Sequence, residues 1–217
     1  GSEMCIRDRV NSAGNQGLSV SANPGYFATV TDSSGNLLLG GRMLIVGAVD
    51  ENNRFYSWSN RAGHICQQFN STTNTCTDKY KVSDFYILAP GGTNSTNKNG
   101  DVGYMEGTSM AAPVVTGGVA IVSQMWPYMK GENVVKLLTT TANKNIPDYN
   151  KETHGSGVLD LDRATQPVGA VGIPTSGKTT SSVKTTTLTN TGGTGSALSA
   201  ISSTGTLSNV MIVDEFS

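Results

Sequence analysis

The stretch of this 217-residue chain richest in reactive possibilities runs from Glu106 to Val115, EGTSMAAPVV. Gly107 allows a tight turn, Thr108 and Ser109 stand where an apolar helix is about to begin, and Ala111 and Ala112 permit close backbone approach. Pro113 is preset for a first helical turn. A hydroxyl in that place is most often a helix cap. It is also well placed as a nucleophile, because the free N–H groups and positive dipole end of the helix would stabilise an oxyanion forming beside Ser109. The run reads G-x-S-x-A and differs from the G-x-S-x-G elbow of α/β-hydrolases. A serine hydroxyl needs a base, usually a histidine oriented by a carboxylate. The two histidines, His64 and His154, lie among polar loops and are not expected to serve. Asp50, Asp84 and Asp101 read as turn and loop carboxylates, and Glu106 as a solvated side chain.

The elements that must hold such a serine can be read from the apolar runs. Met43–Val49 (MLIVGAV) is continuous and of strand length, as expected of a strand buried on both faces. Phe85–Ala89 (FYILA) reads the same way and stops at Pro90-Gly91-Gly92, with a short aromatic segment, Phe55–Trp58, between the two. Ala111–Met125 is apolar almost all round and predicts a buried helix that ends near Pro127. Glu132–Thr141 predicts a second, with Val134, Val135, Leu137 and Leu138 as its apolar face. Buried parallel-type strands followed by helices point to a three-layer α/β domain.

Gly107-Thr108-Ser109-Met110-Ala111-Ala112-Pro113 resembles the nucleophile motif of the subtilisin-like serine proteases, the subtilases. Further pieces fall in that family's order. Asn11-Ser12-Ala13-Gly14-Asn15-Gln16-Gly17 is similar to its oxyanion-asparagine segment, LIVGAVD (44–50) and Leu88-Ala89-Pro90-Gly91-Gly92 to the strands and turn between the motifs, and GSGVLDLDRA (155–164) to its closing segment. The resemblance covers residues 10–168 and implies the subtilisin-like three-layer α/β fold with a mostly parallel sheet. It implies Ser109 as nucleophile, Asn15 as side-chain donor to the oxyanion together with the Ser109 backbone N–H, and Ala13 and Gly14 as one wall of the pocket for the residue before the cleaved bond. Without the serine motif, Asn15 would read as a plain turn residue. In subtilases the triad runs Asp, His, Ser, with Asp and His ahead of the oxyanion Asn. Between residue 10 and Asn15 there is neither. The chain is therefore expected to carry the nucleophile half of a serine endopeptidase without the acid and base half, and to be inactive by itself.

Composition bounds the partners. Charged residues are only 14% of the chain, with 15 Lys and Arg against 16 Asp and Glu. A net charge of −1 offers no clustered positive surface for nucleic acid or an anionic membrane. No apolar segment is expected to span a bilayer, since the best run, Val114–Trp126, is interrupted by Thr116, Gly117, Gly118, Ser123 and Gln124. The opening GSEMCIRDRV resembles a translated sequencing-adapter remnant rather than a signal peptide, so residues 1–9 are set aside as a non-native leader. Cys66 and Cys76 bracket a polar loop at a spacing that suits a local disulfide, worth about 3 kcal/mol and implying an oxidising compartment. Two unpaired buried thiols remain the alternative, and a zinc site would be short of a ligand with only His64 nearby.

The composition shifts near residue 168: in residues 169–217, 27 of 49 residues are Gly, Ser or Thr. This tail reads either as a flexible linker or as the first rungs of a β-rich stem, with Lys184–Leu188 and Val210–Val213 as strands. A subtilase segment followed by such a tail resembles the autotransporter serine proteases of Gram-negative bacteria, which implies secretion or surface display and a membrane barrel beyond residue 217. The resemblance implies a polypeptide substrate and chemistry without a cofactor. A structural calcium ion is common in the family, but no Asp-rich loop names its ligands. The rival reading is a pseudo-protease or adhesive surface module that keeps the fold for binding.

Overall fold

The computed structural model describes residues 9–18, 25–63, 69–70, 72–73, 75–76, 79–168, 172–174, 185–187 and 216. Two compact units divide the chain, residues 1–165 and 166–217.

The first unit is organised on a parallel sheet of three strands in the order β1–β2–β5, where β1 is Arg9–Ser12, β2 Met43–Val49 and β5 Tyr86–Pro90. Every residue of β2 is buried. Since alternate side chains point to opposite faces, both faces of the central strand are covered, as its unbroken apolar run predicts. The helix α1 (Gly25–Thr29) packs near β2. A short antiparallel pair, β3 (Phe69–Asn70) with β4 (Thr75–Cys76), lies between β2 and β5 in the chain. After β5 the chain makes an antiparallel hairpin, β6 (Gly92–Thr96) and β7 (Val102–Glu106), and β7 runs straight into α2 (Thr108–Met125). Then follow α3 (Gly131–Thr141), α4 (Lys151–His154) and α5 (Leu161–Ala164). The closing segment extends the sheet: Ser156 N–H donates to Tyr86 O at 2.8 Å, and Leu159 N–H to Leu88 O at 2.8 Å.

Helix α2 crosses all three strands of the sheet. It departs from the sequence reading in two ways. It begins at Thr108, so Pro113 lies in its second turn rather than its first. Proline has no N–H, and the Ser109 carbonyl, four residues back, is left without a helical donor. The helix is also not buried all round. Only Thr108 and the stripe Ala111, Val115, Gly118 and Val122 are buried, while Val114, Ile121 and Met125 are 42–49% exposed. Gly118 is the point of closest approach, for a Cβ there would touch Leu159 and Leu161 at 3.2 Å. By length and composition alone α2 is long and apolar enough to cross a membrane, although Thr116, Gly117, Gly118, Ser123 and Gln124 interrupt its apolar run. Its buried stripe lies on the sheet.

Helix α3 presents the apolar face read from sequence, with Val134, Val135, Leu137 and Leu138 all buried. Arg9, set aside with the leader, belongs to β1, paired in register with Met43 and donating its N–H to Arg42 O at 2.9 Å. In the second unit β8 (Gly172–Pro174) pairs antiparallel with β9 (Thr185–Thr187), within the Lys184–Leu188 strand expected there. Val210–Val213, Cys5, His64 and Cys66 lie outside the described residues, and with them the test of the Cys66–Cys76 bridge.

Candidate active site

Ser109 sits exposed at the second position of α2. Its backbone N–H is one of the first-turn amides that find no acceptor inside a helix. The preceding residue, Thr108, is buried, and it reaches across to the loop that follows β1. Thr108 donates its backbone N–H (3.0 Å) and its hydroxyl (2.9 Å) to Oδ1 of Asn15. Its Oγ1 accepts in turn from the Gly14 N–H at 3.1 Å. With Oδ1 occupied by two donors, the carboxamide is oriented and its Nδ2 points away from Thr108.

Asn15 Nδ2 lies beside Gly107. A Cβ built on Gly107 would lie 3.3 Å from Asn15 Nδ2 and 3.7 Å from Ser109 N, with Met110 Sδ at 3.5 Å. Glycine leaves that point empty. Asn15 Nδ2 and Ser109 N thus both lie beside Gly107, on the side where any other residue would carry its side chain. The positive end of α2 lies beside them.

The Asn15 loop is itself held rigidly. Ala13 is buried, and its N–H extends the β1–β2 pairing by donating to Val46 O at 2.8 Å. Gly14 has φ +103°, a conformation that L side chains rarely adopt, and a Cβ there would strike Asn60 Nδ2 at 2.5 Å. Asn60 is the clamp. Its Oδ1 accepts from Gln16 N (3.1 Å) and Leu18 N (2.9 Å), while its Nδ2 donates to Ala13 O (2.9 Å) and Gln16 Oε1 (3.1 Å). Arg61 adds a bond from Nη1 to Gly17 O at 2.7 Å. Behind the clamp, the Tyr86 hydroxyl donates to Asn60 O, and Ser59 Oγ accepts from Ala48 N at 3.0 Å, tying the loop to β2 and β5. Burial pushes the Tyr86 phenol well above its usual value of 10.0, which keeps it a neutral donor.

Sequence reasoning singled out neither Thr108 as a positioning residue nor Asn60. Thr108 was visible only as a hydroxyl beside the nucleophile, and Asn60 only as a polar residue in a loop, because their partners lie far away in the chain. Glu106, read as solvated, is engaged: its Oε1 accepts from the Tyr56 and Tyr104 hydroxyls, both at 3.1 Å.

His154 is 5% exposed and packed edge-on to Phe55 and stacked on Tyr149. Its Nδ1 lies 2.9 Å from the Asn150 amide nitrogen and 3.1 Å from the Asn150 carbonyl oxygen. Burial, the dominant influence, depresses its pKa below 6.5. Asp50 and Asp84 hold turns as expected, Asp50 accepting from Asn52 N and Arg54 N at 2.8 Å, and Asp84 from Lys81 N at 3.1 Å and from Lys151 Nζ at 2.6 Å. Asp101 closes a turn by donating its N–H to Asn97 Oδ1 at 3.1 Å. Among the described residues no group of three or more His, Cys, Asp or Glu could hold a metal ion.

Subtilisin DY of Bacillus licheniformis is 29% identical over 158 residues, which are 72% of this chain and 46% of its own length. Fervidolysin of Fervidobacterium pennivorans is 44% identical over 68 residues, 31% of this chain and 10% of its own. Among solved structures, the prenylagaramide maturation protease PagA superposes with a TM-score of 0.49 at 22% identity, over 70% of this chain and 47% of that one. The chain thus matches about half the length of Subtilisin DY and about a tenth of Fervidolysin. The match to the subtilase family (peptidase S8) takes in residues 9–161, from the first strand through the Asn15 loop, the central strands, the serine helix and the closing segment; the chain belongs to that family.

Proposed function

We propose that this chain is the nucleophile-bearing part of a serine endopeptidase that hydrolyses polypeptides through an acyl-enzyme. The observation that carries this reading is that the Asn15 side chain and the Ser109 backbone amide come together beside Gly107, with Asn15 Nδ2 and Ser109 N at 3.3 and 3.7 Å from the position a Gly107 side chain would take. Ser109 Oγ attacks the scissile carbonyl, and the oxygen that becomes negative is held by the Asn15 side chain and the Ser109 N–H. Ala13 and Gly14, on the loop clamped by Asn60, form one wall of the pocket for the residue preceding the cleaved bond. The proton of Ser109 passes to a histidine oriented by an aspartate, both supplied by the segment that precedes the Asn15 loop in the subtilase order. No cofactor enters these steps.

Secretion or display on the outer surface of a Gram-negative cell is part of the same reading, supported by the Gly, Ser and Thr-rich residues 169–217, and it entails an oxidising compartment in which Cys66 and Cys76 pair. Intact mass with and without reductant tests the bridge, through a difference of two protons.

The test of the main reading is a fluorophosphonate probe applied to the protein completed with its upstream reading frame, alongside Ser109→Ala. Labelling that disappears in the variant, with cleavage of a denatured protein substrate, is the expected outcome. Labelling that survives the substitution means that another serine is the nucleophile. The 217-residue chain alone is expected to cleave nothing. An upstream sequence without the triad Asp and His would instead favour the pseudo-protease reading, in which the fold serves binding.

A further inference from the structure

The carboxylate of Glu106 does more than the fold requires. It stands at the end of β7, three residues before Ser109, so the two Cα atoms are at most about 11 Å apart. Two tyrosine hydroxyls from different segments donate to the same oxygen, Oε1. Tyr56 comes from the loop after β2, and Tyr104 from the hairpin strand β7 itself. The Tyr56 ring is stacked on Trp58, with centroids 4.5 Å apart and planes inclined by 22°. Tyr104 is 64% exposed, yet its hydroxyl is fixed. Desolvation first, then hydrogen bonding with Tyr104 and Glu106, drives the Tyr56 phenol far above its usual 10.0, so the Tyr56 hydroxyl remains a donor.

A latch between the two loops needs only a neutral acceptor. A glutamine oxygen would accept the same two hydroxyls. A carboxylate adds a full negative charge and a second oxygen, Oε2, on an exposed residue, and among the described residues no Lys or Arg of the chain is paired with it. The chain's described ion pairs, Arg42 with Glu132 and Lys151 with Asp84, lie elsewhere. Beside this oriented charge the Tyr56–Trp58 stack offers an aromatic surface, half-buried and half open. A pre-oriented carboxylate next to aromatic surface suits a cation on a flexible stem: the stem lies on the rings and the charged head reaches the oxygen.

We infer that Glu106, held by Tyr56 and Tyr104 beside the Tyr56–Trp58 stack, is a specificity site that receives a Lys or Arg side chain of the polypeptide near its cleaved bond. The inference rests on the endopeptidase reading and deepens it, since it names which polypeptides are preferred. Glu106 takes no part in bond making. It selects.

The test is peptide binding to the 217-residue chain carrying Ser109→Ala, read by Trp58 emission with Trp58→Phe as control. Peptides carry one Lys moved through each position, against the same peptides with norleucine there. A Lys peptide is expected to bind about fivefold tighter than its norleucine partner at one or two adjacent positions, with the preference weakening in high salt. Glu106→Gln, which keeps an acceptor for both hydroxyls, should erase the preference while leaving norleucine peptides within about twofold. Tyr104→Phe, which keeps the charge but loosens it, should reduce the preference part-way. A Lys preference unchanged in Glu106→Gln, no preference in the parent chain, or no binding of any peptide overturns the proposal. Fluorophosphonate labelling of the completed protein is read separately. Lys preference without labelling removes hydrolysis and spares the Glu106 site, whereas labelling without Lys preference removes only the Glu106 site.

Discussion

Thr108 grips Asn15 twice on one oxygen, through its N–H at 3.0 Å and its hydroxyl at 2.9 Å, and so leaves the Asn15 amide nitrogen free of that contact and beside Gly107. The residue beside the nucleophile therefore aims the group that would receive the oxyanion. In the completed enzyme, Asn15→Ala is expected to lower kcat by about 10²–10³ with little change in KM, the magnitude known from subtilisin itself. Thr108→Val, which keeps the N–H and deletes the hydroxyl, should cost about tenfold in kcat, and Thr108→Ser should restore most of it. Steady-state kinetics with a peptide amide substrate reads both. Loss appearing only in KM would mean that these residues bind substrate without sensing the transition state.

Asn60 joins the Asn15 loop to the 57–61 segment through four hydrogen bonds, using every donor and acceptor of its side chain. Asn60→Ala leaves the Gln16 and Leu18 amides and the Ala13 carbonyl without those partners. The expected loss is about 2–3 kcal/mol, visible in urea denaturation as a lower midpoint with an unchanged slope. A change below about 0.5 kcal/mol would show that the clamp is replaced by water without cost.

Acid should destabilise the fold before its carboxylates titrate. Burial holds His154 below its usual 6.5, so the unfolded chain binds this proton more readily than the folded one. The stability it supports is complete above pH 6.5 and is lost progressively as pH falls below that value. Glu132 acts lower. Burial pushes its carboxyl up, but hydrogen bonds from its own backbone amide and from Arg42, with the Arg42 charge, pull it below its usual 4.5. Its contribution is present above pH 4.5 and disappears as pH falls further. Chemical denaturation between pH 7.5 and 5 should show falling stability that flattens in His154→Gln. An identical slope in that variant would assign the effect to another group.

The two faces of α2 should respond differently to substitution. Val122 is wholly buried on the stripe against the sheet, whereas Ile121, its neighbour, is 43% exposed. Val122→Ala is expected to cost about 2 kcal/mol, and Ile121→Ala less than about 1 kcal/mol. Equal losses in thermal or urea melts of the 217-residue chain would show that the outward face is covered in solution.

Much of this architecture was legible before any coordinates. The apolar run Met43–Val49 became a strand with the same limits because seven consecutive buried residues suit only a strand covered on both faces. Ser109 stood out because glycine, hydroxyls, small residues and proline converge at one helix start. Local chemistry of that kind is written in adjacent residues. The half-open state of α2 was not legible, because apolar composition sets what a helix can bury and only its neighbours decide what it does bury.

The sequence by itself determined the helix start that carries Ser109, the strands behind it and the family to which they belong, since each depends on residues within one short stretch. Tertiary structure alone decided that Thr108 orients Asn15, that Asn60 clamps the loop, and that Glu106 is shared by two tyrosines. Each of these joins positions dozens of residues apart or depends on which of several donors the backbone brings within about 3 Å. A side chain carries its chemistry in its type, but hydrogen bonds are short and directional, and only the folded path of the chain chooses their partners.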